Sequence, residues 1–160
     1  MSLKRKITCV VLTVLTLMTL VFIISNSIKP AEQSVEQSDA VTDVIQGVVD
    51  TVVPSNPPKV SSSLVRKLAH FSEFALLGFF ALLTYCAYTD KKIFVFLVPV
   101  FTLLSAICDE IVQNFSDGRG PEVIDVLIDF GGAITGILVA LGVFVLFKKF
   151  YLDRRGQEKV

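Results

Sequence analysis

Four stretches of the chain, residues 7–24, 74–89, 93–108 and 130–147, contain no charged residue and run for 18, 16, 16 and 18 residues. A helix rises about 1.5 Å per residue, so crossing a bilayer takes roughly 20 mostly apolar residues. Each stretch reaches that length once one or two polar residues at its outer end are counted. None carries the polar stripe, recurring about every 3.6 residues, that a surface helix of a soluble protein shows. The pattern predicts an all-α protein, an integral membrane bundle of four helices. Its hydrophobic share of 52% is only modestly high, so the segregation of apolar residues carries the argument.

The charges are sorted as well. Lys4, Arg5 and Lys6 precede the first span, which places the amino terminus on the cytoplasmic side. Four crossings then put Lys91 and Lys92 inside, together with the tail's Lys148, Lys149, Arg154, Arg155 and Lys159. Ten of the 15 basic residues fall inside, and only five (Lys29, Lys59, Arg66, Lys67, Arg119) outside. The reading is a multi-pass protein of the cytoplasmic (inner) membrane with both termini cytoplasmic. It divides into an anchor (1–24), an extracytoplasmic loop (25–63), a membrane domain (64–147) and a basic cytoplasmic tail (148–160). The first span is expected to be a retained anchor, because Ser25-Asn26-Ser27-Ile28 is a poor small-x-small cleavage site. Cys9, Cys86 and Cys108 do not come together on the oxidising side and are read as small packing residues.

The 25–63 segment is punctuated by Pro30, Pro54, Pro57 and Pro58 and is expected to be mostly loop. Within it, Val41, Val44, Ile45, Val48, Val49, Val52 and Val53 follow a helical period opposite Asp39, Asp43, Gln46 and Asp50. This predicts an amphipathic helix capped by Ser38 or Asp39 and ended by Pro54, lying on the membrane surface or over the bundle. Pro99 is expected to kink the third span. Asp-Gly and a second glycine at 117–120 make a tight turn, after which Pro121 and Glu122 suit the start of the fourth span. Gly132 and Gly136 form a GxxxG pair, a close-packing face that also offers a surface to a second copy.

The polar residues of the spans gather at their outer ends. Arg66, Lys67, His70 and Glu73 open the second span; Asp109, Glu110 and Gln113 close the third; Glu122, Asp125 and Asp129 open the fourth. Short connections bring these ends together. Arg66, His70 and Glu73 share one helix face, and Asp125 and Asp129 lie on the glycine face, pointing into the bundle. A charge as deep as Asp129 costs a few kcal/mol and needs a partner, for which Arg119, Lys67 and Arg66 are candidates. The candidate ligand-binding set is Lys67, His70, Glu73, Glu110, Gln113, Arg119, Asp125 and Asp129. Arg66, Asp109, Asp117 and Glu122 read instead as interfacial charges that snorkel or satisfy turns.

Three motifs in these segments resemble the VanZ-like family. Residues 66–78 (RKLAHFSEFALLG) are similar to its first signature, a lysine and His-Phe followed by an aromatic and Leu-Gly. Residues 109–119 (DEIVQNFSDGR) are similar to its second, Glu-x-x-Gln-x-Phe and then Gly-Arg. Asp125 through Gly132, with Gly136, resembles its third. Asp117 stands where the family often has proline, and Asp129 where it often has asparagine, which adds a negative charge. The family takes its name from a membrane protein linked to teicoplanin resistance. The resemblance implies a bacterial envelope role at the outer face, on membrane lipid, on a cell-wall precursor or on the glycopeptide itself.

Three functions stay open on the residues. The site could bind an anionic headgroup through Lys67, His70 and Arg119, since guanidinium grips phosphate or carboxylate with two prongs. It could be a membrane-embedded hydrolase or transferase, with His70 as general base, Glu110 or Asp125 orienting it and Arg119 stabilising an oxyanion. It could be part of a small proton-coupled transporter. A metal on His70, Glu73, Glu110 and Asp125 is disfavoured by the lone histidine, so no metal or cofactor is assigned. The basic residues flank membrane spans, which excludes nucleic acid as a partner.

Overall fold

In the computed structural model every regular element among the described residues is a helix: α1 (Leu3–Ser27), α2 (Ala31–Val52), α3 (Ser62–Tyr88), α4 (Leu97–Asn114) and α5 (Val123–Gln157). The structure describes residues 2–89, 95–116, 118, 120 and 122–157, with side chains as far as residue 146. Four helices, α1, α3, α4 and α5 through Leu146, are long and apolar enough to cross a membrane. Their outward faces agree with that: Met18 and Phe22 on α1, Leu68 and Leu76 on α3, Leu104 on α4, and Leu138 and Val145 on α5 are all exposed. In water such a continuous apolar surface would drive association. In a bilayer it is the solvent-facing surface.

α3 is the axis of the bundle and packs against each of the other helices, most extensively against α5. α4 returns the chain between them, so α3 and α5 run parallel. Their contact depends on three glycines. A Cβ on Gly132 would collide with the Phe71 carbonyl, one on Gly136 with the Ala75 carbonyl, and one on Gly78 with the Ala133 carbonyl. The two backbones touch because nothing stands between them. The GxxxG face is thereby filled from within the chain, and it is not a free surface for a second copy.

α1 runs antiparallel to α3 and is joined to it by polar contacts along its length. Arg5 Nε donates to the Ala87 carbonyl at 2.9 Å, the Thr16 and Thr84 hydroxyls bond at 2.9 Å, and Asn26 Nδ2 donates to Glu73 Oε1 at 2.9 Å. The core between these helices has two apolar clusters, one around Ile23, Phe74, Leu77, Ala106 and Ala133 and one around Leu82, Val98, Ile137 and Ala140.

Four expectations change. The 25–63 segment is mostly helix, because α2 begins at Ala31 just after Pro30. Neither Ser38 nor Asp39 caps it: Ser38 Oγ back-bonds to the Ser34 carbonyl, and Asp39 Oδ1 accepts from Ser62 Oγ at 2.5 Å. Proline suits the residue before a first turn, and nothing in 31–37 breaks the helix. The 58–60 strap returns over α2, with Gln46 bonded to the Pro58 carbonyl and to the Val60 amide. The valine stripe of α2 (Val41, Val44, Val48, Val52) stays exposed, so this helix does not cover the bundle with its apolar face. Finally, α4 starts at Leu97, which puts Pro99 in its first turn. Amides there lack intrahelical partners in any helix, so proline costs no hydrogen bond and produces no mid-span kink.

Candidate functional site

The ends of α1 and α4 and the beginnings of α3 and α5 meet at one end of the bundle, and their polar residues sort into three groups. The innermost centres on Asp109, which is 1% exposed. Ser27 Oγ donates to its Oδ1 at 2.5 Å, and Gln113 Nε2, one turn along α4, donates to its Oδ2 at 2.7 Å. His70 Nδ1 lies 4.0 Å from that Oδ2. Asp129 enters from α5, also 1% exposed, and its Oδ1 has no hydrogen-bond partner among the described residues. His70, Asp109 and Asp129 each present a donor atom within 4.8 Å of the others.

The second group lies about one turn nearer the starts of α3 and α5. Lys67 Nζ is 2.9 Å from Asp125 and 3.5 Å from Glu122. Glu110 Oε1 accepts the Glu122 backbone amide at 2.5 Å, so this carboxylate satisfies an amide at the start of α5. The third group joins α1, α2 and α3: Lys29 Nζ donates to Asn26 Oδ1 at 2.9 Å and to Gln37 Oε1 of α2 at 3.3 Å, and Asn26 in turn donates to Glu73. Beside it opens a cavity of about 230 Å³ between α2 and α3, lined by Asn26, Ser34, Gln37, Ser38, Arg66, His70 and Glu73 with Val41, Val65 and Ala69.

A family model described as VanZ/LLP1 matches residues 10–147. The chain belongs to that family. No curated protein and no solved structure matches it. The VanZ/LLP1 match reaches back through α1 and α2, whereas the three motifs lie only in 64–147. Its extent agrees with the contacts, since α1 supplies Asn26 and Ser27 to the polar end.

Within this VanZ-family site the expected pairings are rearranged. Glu110 and Asp125 are engaged with the α5 start and with Lys67, and among the described residues the carboxylate within ion-pair distance of His70 is Asp109. A His70–Glu110 or His70–Asp125 pair is therefore not formed. Lys67 is held by Asp125 and Glu122 rather than by Asp129. Asp109, read as an interfacial charge, is instead the most enclosed carboxylate together with Asp129. Arg119 and Asp117 lie outside the described residues. A signal for Asp109 exists in α4: Thr102, Ala106, Asp109 and Gln113 recur at helical spacing, small or polar every turn, and all four are buried. Ser27 and Asn26, in the first span's polar tail, carried no such signal.

The Lys67–Asp125 pair is partly solvated, with side chains 29% and 23% exposed. A double-mutant cycle of Lys67→Met and Asp125→Asn, read by thermal unfolding in detergent, is expected to give a coupling of about 1 kcal/mol. A coupling above about 3 kcal/mol would mean that the pair is desolvated.

Proposed function

We propose that this VanZ-family protein works in the envelope of a bacterium, in the cytoplasmic membrane, with its polar end outward. There it binds the anionic headgroup of a lipid or of a lipid-linked cell-wall precursor and so affects teicoplanin susceptibility. The observation that carries this reading is Arg66. It lines the cavity between α2 and α3, and among the described residues no carboxylate lies within ion-pair distance of it. The cavity's other walls are the Glu73 carboxyl, which accepts from Asn26, the His70 imidazole, amide and hydroxyl groups, and valine and alanine, a mixture of polar and apolar walls that suits the junction of a headgroup and its acyl or prenyl chain. A guanidinium there can grip phosphate or carboxylate with two hydrogen bonds. The exposed valine stripe of α2 supports a helix lying in the headgroup layer beside that opening. The outward orientation rests on the distribution of Lys and Arg. Lys67, already neutralised by two carboxylates, contributes less than its position suggested.

Arg66→Ala in the native host is expected to move teicoplanin susceptibility to the value of a deletion strain while the membrane level of the protein holds. Headgroup binding by the purified protein should weaken about tenfold or more, since a charge-assisted hydrogen bond contributes about 1.5–3 kcal/mol. Arg66→Lys, which keeps the charge and loses the fork, should retain an intermediate effect. Unchanged susceptibility and unchanged binding in Arg66→Ala would sink the proposal.

The enzyme reading keeps one supporting observation, the imidazole of His70 facing the enclosed Asp109 carboxylate, an arrangement in which a carboxylate orients a general base. The transporter reading loses its dimer face to the α3–α5 contact.

A further inference from the structure

We propose that His70, Asp109 and Asp129 bind one divalent transition-metal ion at the centre of the polar end. Three helices, α3, α4 and α5, each contribute one of these side chains, and the three donor atoms lie within 4.8 Å of one another. Tetrahedral coordination at about 2.1 Å places ligand atoms about 3.4 Å apart. The group therefore closes on an ion by at most about 1.4 Å between donor atoms, within reach of side-chain rotation.

Charge points the same way. Asp109 and Asp129 are each 1% exposed, and two enclosed carboxylates so close together need a cation or a shared proton between them. The nearby Lys67 does not serve, because Asp125 and Glu122 hold it. Asp129 Oδ1 is buried, without a hydrogen-bond partner among the described residues.

The surroundings are those of a supported ligand. Ser27 and Gln113 each donate to one oxygen of Asp109. They orient the carboxylate and leave a lone pair on each oxygen, as outer-shell partners of metal ligands do. A crevice of about 10 Å³ that reaches His70 and Asp129 and is bordered also by Arg66, Lys67, Gln113 and Asp125 has room for about one water-sized particle.

The donor set selects the class of ion. One imidazole nitrogen with two carboxylate oxygens suits zinc, manganese or ferrous iron, whereas calcium and magnesium take oxygen ligands throughout. Three protein ligands leave positions open for water or for an oxygen of a bound headgroup. His70 and Arg66 border both this crevice and the cavity between α2 and α3, but the two proposals have different readouts, bound metal here and headgroup binding there, so either can fail without the other.

The test uses the full chain, without a polyhistidine tag, in phosphatidylcholine nanodiscs. Metal content is measured by elemental analysis as purified and again after chelation and titration with zinc chloride or manganese chloride. The expected result is one equivalent per chain and a metal-dependent rise in Tm. Asp129→Asn and His70→Gln should each weaken binding by more than about a hundredfold, beyond the usual effect of an outer-shell partner, and should abolish the rise in Tm. Wild-type protein that takes up neither ion and shows no metal-dependent Tm overturns the proposal, leaving a shared proton between the aspartates. Stoichiometric binding that survives both substitutions overturns it too, because the ion then sits elsewhere.

Discussion

Gly136→Ala is expected to remove most of the folded protein from the membrane. The added methyl would meet the carbonyl oxygen, the carbonyl carbon and the Cα of Ala75. All three are backbone atoms inside α3, which cannot rotate aside as a side chain does. The helices must separate, and the polar end that their parallel contact aligns must open with them. Overpacking in ordinary cores costs about 1–3 kcal/mol with side chains yielding, so a loss of about 3 kcal/mol or more is expected here. Gly142→Ala on the same helix is the control, since a Cβ there meets nothing within 4 Å; it should leave Tm and abundance unchanged or slightly raised. Equal Tm in the two variants would show that α3 and α5 do not pack as described.

Asp109→Ala is expected to lower stability by about 2–5 kcal/mol. The carboxylate accepts from Ser27 and Gln113 at once, and its removal strands both donors in a region closed to water. Each buried unsatisfied donor costs about 1–3 kcal/mol. Asp109→Asn should be milder, because the Ser27 hydroxyl can turn from donor to acceptor. A triple variant, Ser27→Ala with Asp109→Leu and Gln113→Leu, should recover most of the stability, since an apolar replacement of a buried polar group is often neutral or better. The same triple variant should not regain the susceptibility phenotype or bind metal if the group has the working role proposed for it. Thermal unfolding in detergent reads the first outcome and the host assay the second. An Asp109→Ala variant as stable as wild type would mean that water reaches this group.

The arrangement explains why the polar residues are gathered so tightly. In the bilayer interior a charge has no solvent to fall back on, so each carboxylate at this end has a defined neighbour: a helix start for Glu110, Lys67 for Asp125, an amide for Glu73, two donors for Asp109. Among the described residues Asp129 has no such neighbour at Oδ1, and that motivates the metal proposal.

Much of this was legible in the sequence. The lengths of the charge-free stretches are a one-dimensional property, and a bilayer lets such stretches cross only as helices that satisfy their own backbone. Four crossings joined by short connections must bring the ends of the second, third and fourth spans to one side, so the convergence of His70, Asp109 and Asp129 on that side followed from chain order alone. The family resemblance was likewise visible from three motifs. The helical start of α2 was harder to read, because the polar composition of 31–40 fits loop and helix equally well and Pro30 ends one element while permitting the next.

Only the tertiary structure decided who meets whom. Adjacent helical residues point about 100° apart, so Asp109 and Glu110 face different neighbours, and spacing within one helix says nothing about how that helix is rotated against the next. That rotation was set by the three glycine contacts between α3 and α5 and by Ser27 reaching across from α1. The same contacts settled that Gly132 and Gly136 pack against this chain's own third helix, because a face without side chains accepts any backbone that can come close, and α3 is already there.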